Sequence, residues 1–144
     1  MVQREATATA SPSTIWKTCF EPMKWETWDP DVTCLENTDE GCIEGAKPIF
    51  VMKSGGMKVP MTLKNVKKDE TLTFEGSYKG VYFKGDVELV PGEDEGKTLI
   101  KYSFELSGIL GALFGFFNKK AVVVGTEKGL ENMVTLSEEA QKAS

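Results

Sequence analysis

The chain has no histidine among its 144 residues. That absence removes Ser-His-Asp and Cys-His nucleophile activation, His-ligated zinc or iron, and imidazole acid–base chemistry near neutral pH. Any catalysis has to rest on carboxylates, lysine, tyrosine, cysteine or geometry alone. Cysteine is scarce as well. Cys19, Cys34 and Cys42 are odd in number and show no CxxC spacing, which argues against a disulfide framework and suits a reducing compartment. No apolar run reaches the roughly 20 residues that a membrane-spanning helix needs. The N-terminal MVQREATATA lacks the apolar stretch of a secretory leader, so a cytoplasmic location is expected. Low-complexity tracts, internal repeats and linker-like stretches are missing too, and the chain reads as one domain spanning residues 1–144.

What is present begins with charge. The net charge of −5 argues against a general nucleic-acid binder, since phosphate binding is driven by Lys and Arg. The charge is uneven, however. Eight lysines and four acids lie between Glu44 and Lys84, so that stretch is +4 and the remainder −9. Two readings fit: solvated strand faces, or a patch that attracts an anionic head group or an acidic partner.

Residues Val2 to Ala10 alternate in polarity and predict a strand. Ser11-Pro12 supplies an N-cap and a proline at the first helical position, a helix start. Ile15, Trp16 and Cys19 give that short helix an apolar face, and Pro22 closes it. A second short helix is expected from Pro22 to Trp28, ended by Asp29-Pro30. The period then changes to two. Strands are expected at Val32–Asn37, Ile43–Met52, Met57–Val66, Thr71–Tyr78, Val81–Val90 and Thr98–Leu106. Short Gly- and Asp-containing breaks join them, which implies an antiparallel meander. The register of Ile43–Met52 stays open because Pro48 interrupts it. After Gly108 the pattern is helical to the end, with Phe116, Val123, Leu130 and Ser137 spaced seven apart.

That order, carried by ASPSTIW (10–16), WETWDPDV (25–32) and VELVPGEDEGKTLIKYSFELSGILG (87–111), resembles the START-related and birch-pollen-allergen-like superfamily. The branch it is most similar to is polyketide cyclase/dehydrase and lipid transport. The resemblance implies an α+β helix-grip fold: a curved antiparallel sheet of about seven strands wrapped on a long C-terminal helix, with two short helices after the first strand. It also implies a cavity for an apolar ligand between sheet and helix. It implies no single chemistry, because members include carriers, receptors, cyclases and hydrolase activators. An imidazole often sits on the penultimate strand in this branch. Gly85 falls near there, which argues against a histidine-dependent cyclase.

Several residues then stand out as candidate ligand contacts. The inner strand rows contain Leu72, Phe74, Phe83, Val87, Leu89, Ile100, Phe104 and Leu106, and only Tyr78 and Tyr102 offer a polar tip. The acids on these strands, Glu75, Asp86, Glu88 and Glu105, fall on the opposite row. A general acid or base must reach substrate inside the pocket, so this register favours binding over catalysis, and no catalytic residue, metal ligand or cofactor is assigned. Trp25 and Trp28 are read either as core or as rings that close a cavity. Ala121, Gly125 and Gly129 recur every fourth residue in the helix, marking close backbone approach or space for a ligand. From the helix itself, Val123 and Leu130 join the candidate set. The apolar run ILGALFGFF (109–117) is too short and interrupted for a bilayer anchor. It reads as a joint at the cavity mouth, with Phe114, Phe116 and Phe117 as its lid.

The expected function is a soluble binding or carrier protein for an apolar small molecule: a lipid, a sterol or an aromatic polyketide-like ligand. No stable membrane insertion is expected, and oligomeric state is left open. The alternative is a polyketide cyclase or dehydratase using a cavity tyrosine or carboxyl. A third reading is a protein-interaction module with a filled core.

Overall fold

The structure is a computed structural model and describes residues 1–21, 23–53, 55–94, 96–108 and 119–143. The candidate lid residues Phe114, Phe116 and Phe117 lie outside the described residues. The elements are β1 (Val2–Ala8), α1 (Pro12–Cys19), β2 (Val32–Glu36), β3 (Ile49–Met52), β4 (Lys58–Lys67), β5 (Thr71–Tyr78), β6 (Val81–Pro91), β7 (Thr98–Ser107) and the C-terminal helix α2 (Lys119–Ala143). One antiparallel sheet holds all seven strands in the order β1-β7-β6-β5-β4-β3-β2. Only the outermost strand departs from a simple meander, because β1 returns to pair with β7. This is the helix-grip arrangement: a curved sheet with α2 on its inner face.

Local chemistry explains where the elements stop. Ser11 caps α1 by accepting from the Thr14 amide at 3.1 Å, with Pro12 at the first helical position. The second short helix shrinks to one 3-10 turn, Trp25–Thr27. Met23 at φ 65° breaks right-handed helix just before it, and the amides of Trp28 and Asp29 both close on the Trp25 carbonyl. The expected strand Ile43–Met52 is ordered as strand only over Ile49–Met52. Its first half still meets β4, through Gly45 N to Leu63 O at 2.8 Å and Leu63 N to Ala46 O at 2.9 Å. Gly45 at φ 82° and Pro48, which has no amide to donate, keep it from continuing as a regular ladder. Lys79-Gly80, with φ 46° and 82°, makes the two-residue β5–β6 hairpin loop.

Sheet curvature comes from two register shifts, between Val32 and Cys34 on β2 and between Lys64 and Lys67 on β4. The inner rows are those the alternation predicts, with Leu72, Phe74, Phe83, Val87, Leu89, Ile100 and Tyr102 buried. The stripe on α2 differs slightly from the heptad expectation. Thr126, Leu130, Met133 and Ser137 are buried, while Val123 is only half-buried. The chain termini are stitched together along α2. The Thr9 amide donates to Glu138 at 2.8 Å, the Ser11 amide and Thr14 hydroxyl donate to Gln141 at 3.0 and 2.9 Å, and Cys19 Sγ meets Ser137 Oγ at 3.7 Å.

Gly85 has a packing cause. It faces Phe74 across the β5–β6 ladder, and a Cβ there would overlap the Phe74 ring. The ring of Phe74 on the neighbouring strand thus fills the place where the family resemblance puts an imidazole. Gly85→Ala is expected to cost about 1–3 kcal/mol, the usual range for forcing extra volume into a packed core. A chemical denaturation midpoint checks this, and no change would mean that Phe74 has another place to go.

Candidate ligand site

The inner side of the sheet divides into two zones. In the first, α1, the 3-10 turn and the middle strands enclose a continuous aromatic cluster. Trp25 contacts Phe20, Trp28, Phe50 and Phe74 with ring centroids 5.3 to 5.4 Å apart, and Phe74 stacks on Phe50 at 5.8 Å. Trp28 meets Phe20 and Tyr102 edge-on at 5.9 Å, and Trp16 meets Phe20 at 5.4 Å. Offset and edge-on pairs of this kind add about 0.5–1.5 kcal/mol each to the burial of the rings. Trp25, Trp28 and Phe74 from the candidate set are therefore fully buried core rings.

The second zone lies at the end of the sheet where β5 turns into β6 and β7 runs out. Tyr102, Phe104 and Leu106 form one inward row on β7, directly opposite Val87, Gly85 and Phe83 of β6. Phe104, Leu106, Tyr78 and Val81 are half-buried apolar side chains packed against the core. Phe83 is 9% exposed, and Val123 on α2 is half-buried. Leu130 sits deeper on α2, next to the closed zone.

The acids on the strands face outward, as the alternation predicts. Glu75 is bonded by Lys64 and by the Tyr82 hydroxyl. The Lys64 hydrogen bond and then the Tyr82 bond hold its carboxyl below the ordinary value, and the same contact with Glu75 pushes Tyr82 up to about 12. Asp86 accepts from Thr73 at 2.5 Å. Thr73 and Asp86, with Ser103 and Gln3, line a broad groove of about 860 Å³ on the outer face. The lysines between Glu44 and Lys84 are also directed away from the interior. Lys53, Lys58, Lys64, Lys67, Lys68 and Lys79 are exposed, with Lys58 and Lys64 paired to Glu36 and Glu75.

Two carboxyls do flank α2, but from a turn rather than a strand, with Asp29 half-buried and Asp31 exposed. Asp29 and Asp31 follow Trp28 at the end of the WETWDPDV stretch. The Asp31 amide donates to Asp29 Oδ1 at 3.0 Å, and the Lys53 amide donates to the Asp31 carbonyl at 3.0 Å. Asp31 leans on α2 so closely that a Cβ at Gly125 would overlap its Oδ2. One turn later, a Cβ at Gly129 would meet the Trp28 ring at 3.5 Å and the Tyr102 ring at 3.7 Å. Both glycines thus mark close approach. Burial pushes Asp29 up to about 7, and raises Asp31 against the pull of Lys53. Tyr102 is raised well above its ordinary value by burial first, then by the two aspartates. Cys19 and Cys42 are lifted to about 12 by burial, which leaves them protonated and poor nucleophiles.

Asp29 and Asp31 were missed as site residues in the sequence because they read as a helix stop. The signal was their place between two anchored residues, Trp28 and Val32. Of the candidate set, the geometry joins Trp25, Trp28, Phe74 and Tyr102 in one ring cluster. Phe83, Phe104 and Tyr78 belong to the half-buried floor beyond it.

Residues 1–138 match the family described as polyketide cyclase / dehydrase and lipid transport. The chain belongs to that family. No curated protein matches it in sequence. Among solved structures it is similar to a hypothetical protein of Helicobacter pylori, at 17% identity and TM-score 0.72 over 94% of this chain and 86% of that one. It is also similar to a START superfamily protein of Mycobacterium smegmatis, at 14% identity and TM-score 0.64 over 99% and 97%. A putative protein of the dynemicin biosynthetic locus matches at 15% identity and TM-score 0.70, over 97% of this chain and 48% of that one. At these identities the likeness establishes the fold. The family and its START-like fold suggest a ligand-binding role. No helix among the described residues is long and apolar enough to cross a membrane.

The raised Asp29 carboxyl has a consequence for stability. Between about pH 4 and about 7 the folded chain holds a proton that the unfolded chain has released, so this group lowers stability as the pH rises through that window. Asp29→Asn keeps the acceptor for the Asp31 amide and removes the charge. It is expected to stabilise the fold by about 2 kcal/mol above pH 8 and by almost nothing below pH 4. Thermal melts at both pH values check this; equal melting shifts at both would contradict a buried charge at Asp29.

Proposed function

We propose that this protein is a small binding or carrier protein for an apolar small molecule, a lipid, sterol or aromatic polyketide-like compound, held between the end of the sheet and the first turns of α2. The observation that carries the reading is the inward row Tyr102, Phe104 and Leu106 with Phe83, Tyr78 and Val81. These side chains are apolar and inward-directed, yet several remain half-exposed. An ordinary core row would be closed, as its neighbours around Trp25 are. A partly open apolar lining with few polar groups is the usual form of a small-molecule site. Membership of a family that includes lipid transport supports the same reading.

A second reading, a cyclase or dehydratase, is favoured by one observation: Asp29, Asp31 and Tyr102 converge beside that lining. A carboxyl raised to about 7 can hold or release a proton near neutral pH. Under this reading Asp29→Asn would abolish turnover of a polyketide-like chain while leaving its binding intact.

The binding reading is tested by uptake of an uncharged fluorescent apolar dye and by mass analysis of compounds extracted from the purified protein. Phe104→Asp is expected to weaken dye uptake about tenfold or more, with a smaller proportional effect on the denaturation midpoint. Unchanged uptake in a folded variant would remove Phe104 from the site, and empty protein that takes up no dye would overturn the reading.

A further inference from the structure

We propose that Asp29, Asp31 and Tyr102 form a head-group subsite that accepts an uncharged or cationic hydrogen-bond donor, a hydroxyl or an amine, and rejects a carboxylate. The inference rests on the reading of the interior as a ligand site and names the chemistry of ligand that it takes.

Three observations carry it. The first is Tyr102, which is 5% exposed and lies in the same inward row as Phe104 and Leu106. Its hydroxyl makes no hydrogen bond among the described residues and is not one of the fully enclosed unpaired polar atoms there, which are Trp16 Nε1, Trp25 Nε1 and Asp69 Oδ1, so it is open to a partner from outside. The second is the pair of carboxyls. Asp29 accepts one bond, from the Asp31 amide, and no side-chain donor reaches either carboxyl among the described residues. Asp31 is held against Gly125, at the helix face that carries Gly129 and the Tyr102 contact one turn later. Acceptors and phenol therefore border the same stretch of α2.

The third observation is the charge around them. The two aspartates lie between the 3-10 turn, whose Glu26 is exposed, and β2, whose Glu36 is exposed and paired with Lys58, while on β7 Lys101 and Glu105 fall on the row opposite Tyr102. The cation that acts on both aspartates is Lys53, which is exposed and makes no ion pair among the described residues. On α2, Lys120 is exposed, and Glu127 is engaged by Arg4 at 3.1 Å on the β1 side. The lysine-rich strands turn their ammonium groups outward. An incoming carboxylate would meet two carboxyls whose nearby cation is the exposed Lys53, and like charges brought together repel. A hydroxyl instead donates to either aspartate and accepts from Tyr102. An ammonium adds a second positive charge to that of Lys53.

The test uses ligands that share one alkyl chain and differ only in the head: dodecan-1-ol, dodecylamine and dodecanoate. Each competes at neutral pH with the uncharged apolar dye on the whole protein. The alcohol and the amine are expected to displace dye at concentrations about tenfold or more below dodecanoate. In an Asp29→Asn/Asp31→Asn double variant the gap is expected to close to about twofold, with the alcohol still bound. Equal competition by dodecanoate and the alcohol in the native protein overturns the proposal while leaving the binding reading intact. An unchanged gap in the double variant also overturns it, since the discrimination then arises elsewhere. Failure of the dye and all three competitors to bind removes the ligand site and the inference with it. Should the double variant not fold, Gly125→Ala serves instead. It displaces the Asp31 carboxyl alone, and an undiminished gap there counts against the proposal.

Discussion

Trp28 is the residue on which the arrangement depends. Its indole N–H donates to the Cys19 carbonyl at 2.9 Å, at the end of α1. Its own carbonyl accepts from Asn132 Nδ2 at 2.9 Å, in the middle of α2. Its ring lies against Phe20, Trp25, Tyr102 and the backbone of Gly129. Both helices and β7 therefore take their positions from one side chain. Substituting a buried tryptophan by alanine typically costs about 3–5 kcal/mol. Here the loss would also free the turn that carries Asp29 and Asp31.

The site follows from that anchor. A filled aromatic cluster holds the middle of α2 close to the sheet. Beyond Tyr102 the inner row continues apolar but is no longer closed. The two aspartates arrive from the anchored turn at the boundary between these zones, where partial burial makes the charge of Asp29 costly. A charge kept in such a place is a candidate for function, because stability alone would favour an amide or an apolar side chain there. The outer face shows the contrast. Its acids are matched by Lys64, Tyr82 and Thr73, and it has the look of a solvated strand surface.

Much of the fold was legible in the sequence because its signals are local. The alternation in Thr71–Tyr78 and Val81–Val90 fixes which side chains face inward, and the ladders agree with it residue for residue. Ser11-Pro12 marked the start of α1 without any help from tertiary contacts. The second helix failed for a reason no periodicity reveals: Met23 takes a left-handed conformation. Ile43–Met52 was blurred by Pro48 and Gly45, whose effect depends on how β4 accepts them. Of the site, the rings were visible as residue types, but their division into closed cluster and open floor depends on sheet curvature. Asp29 and Asp31 escaped notice because a DPD sequence after a tryptophan is an ordinary turn signal. Only the approach of Gly125 and Tyr102 gives it another meaning.

The central claim is that an apolar ligand lies on the inner floor beyond the aromatic cluster, beside Tyr102. Intermolecular NOEs between a bound uncharged apolar ligand and assigned side-chain protons test it most directly. The account predicts contacts to Tyr102, Phe104, Leu106 and Phe83. Contacts confined to Thr73, Ser103 and Gln3 on the outer face would contradict it.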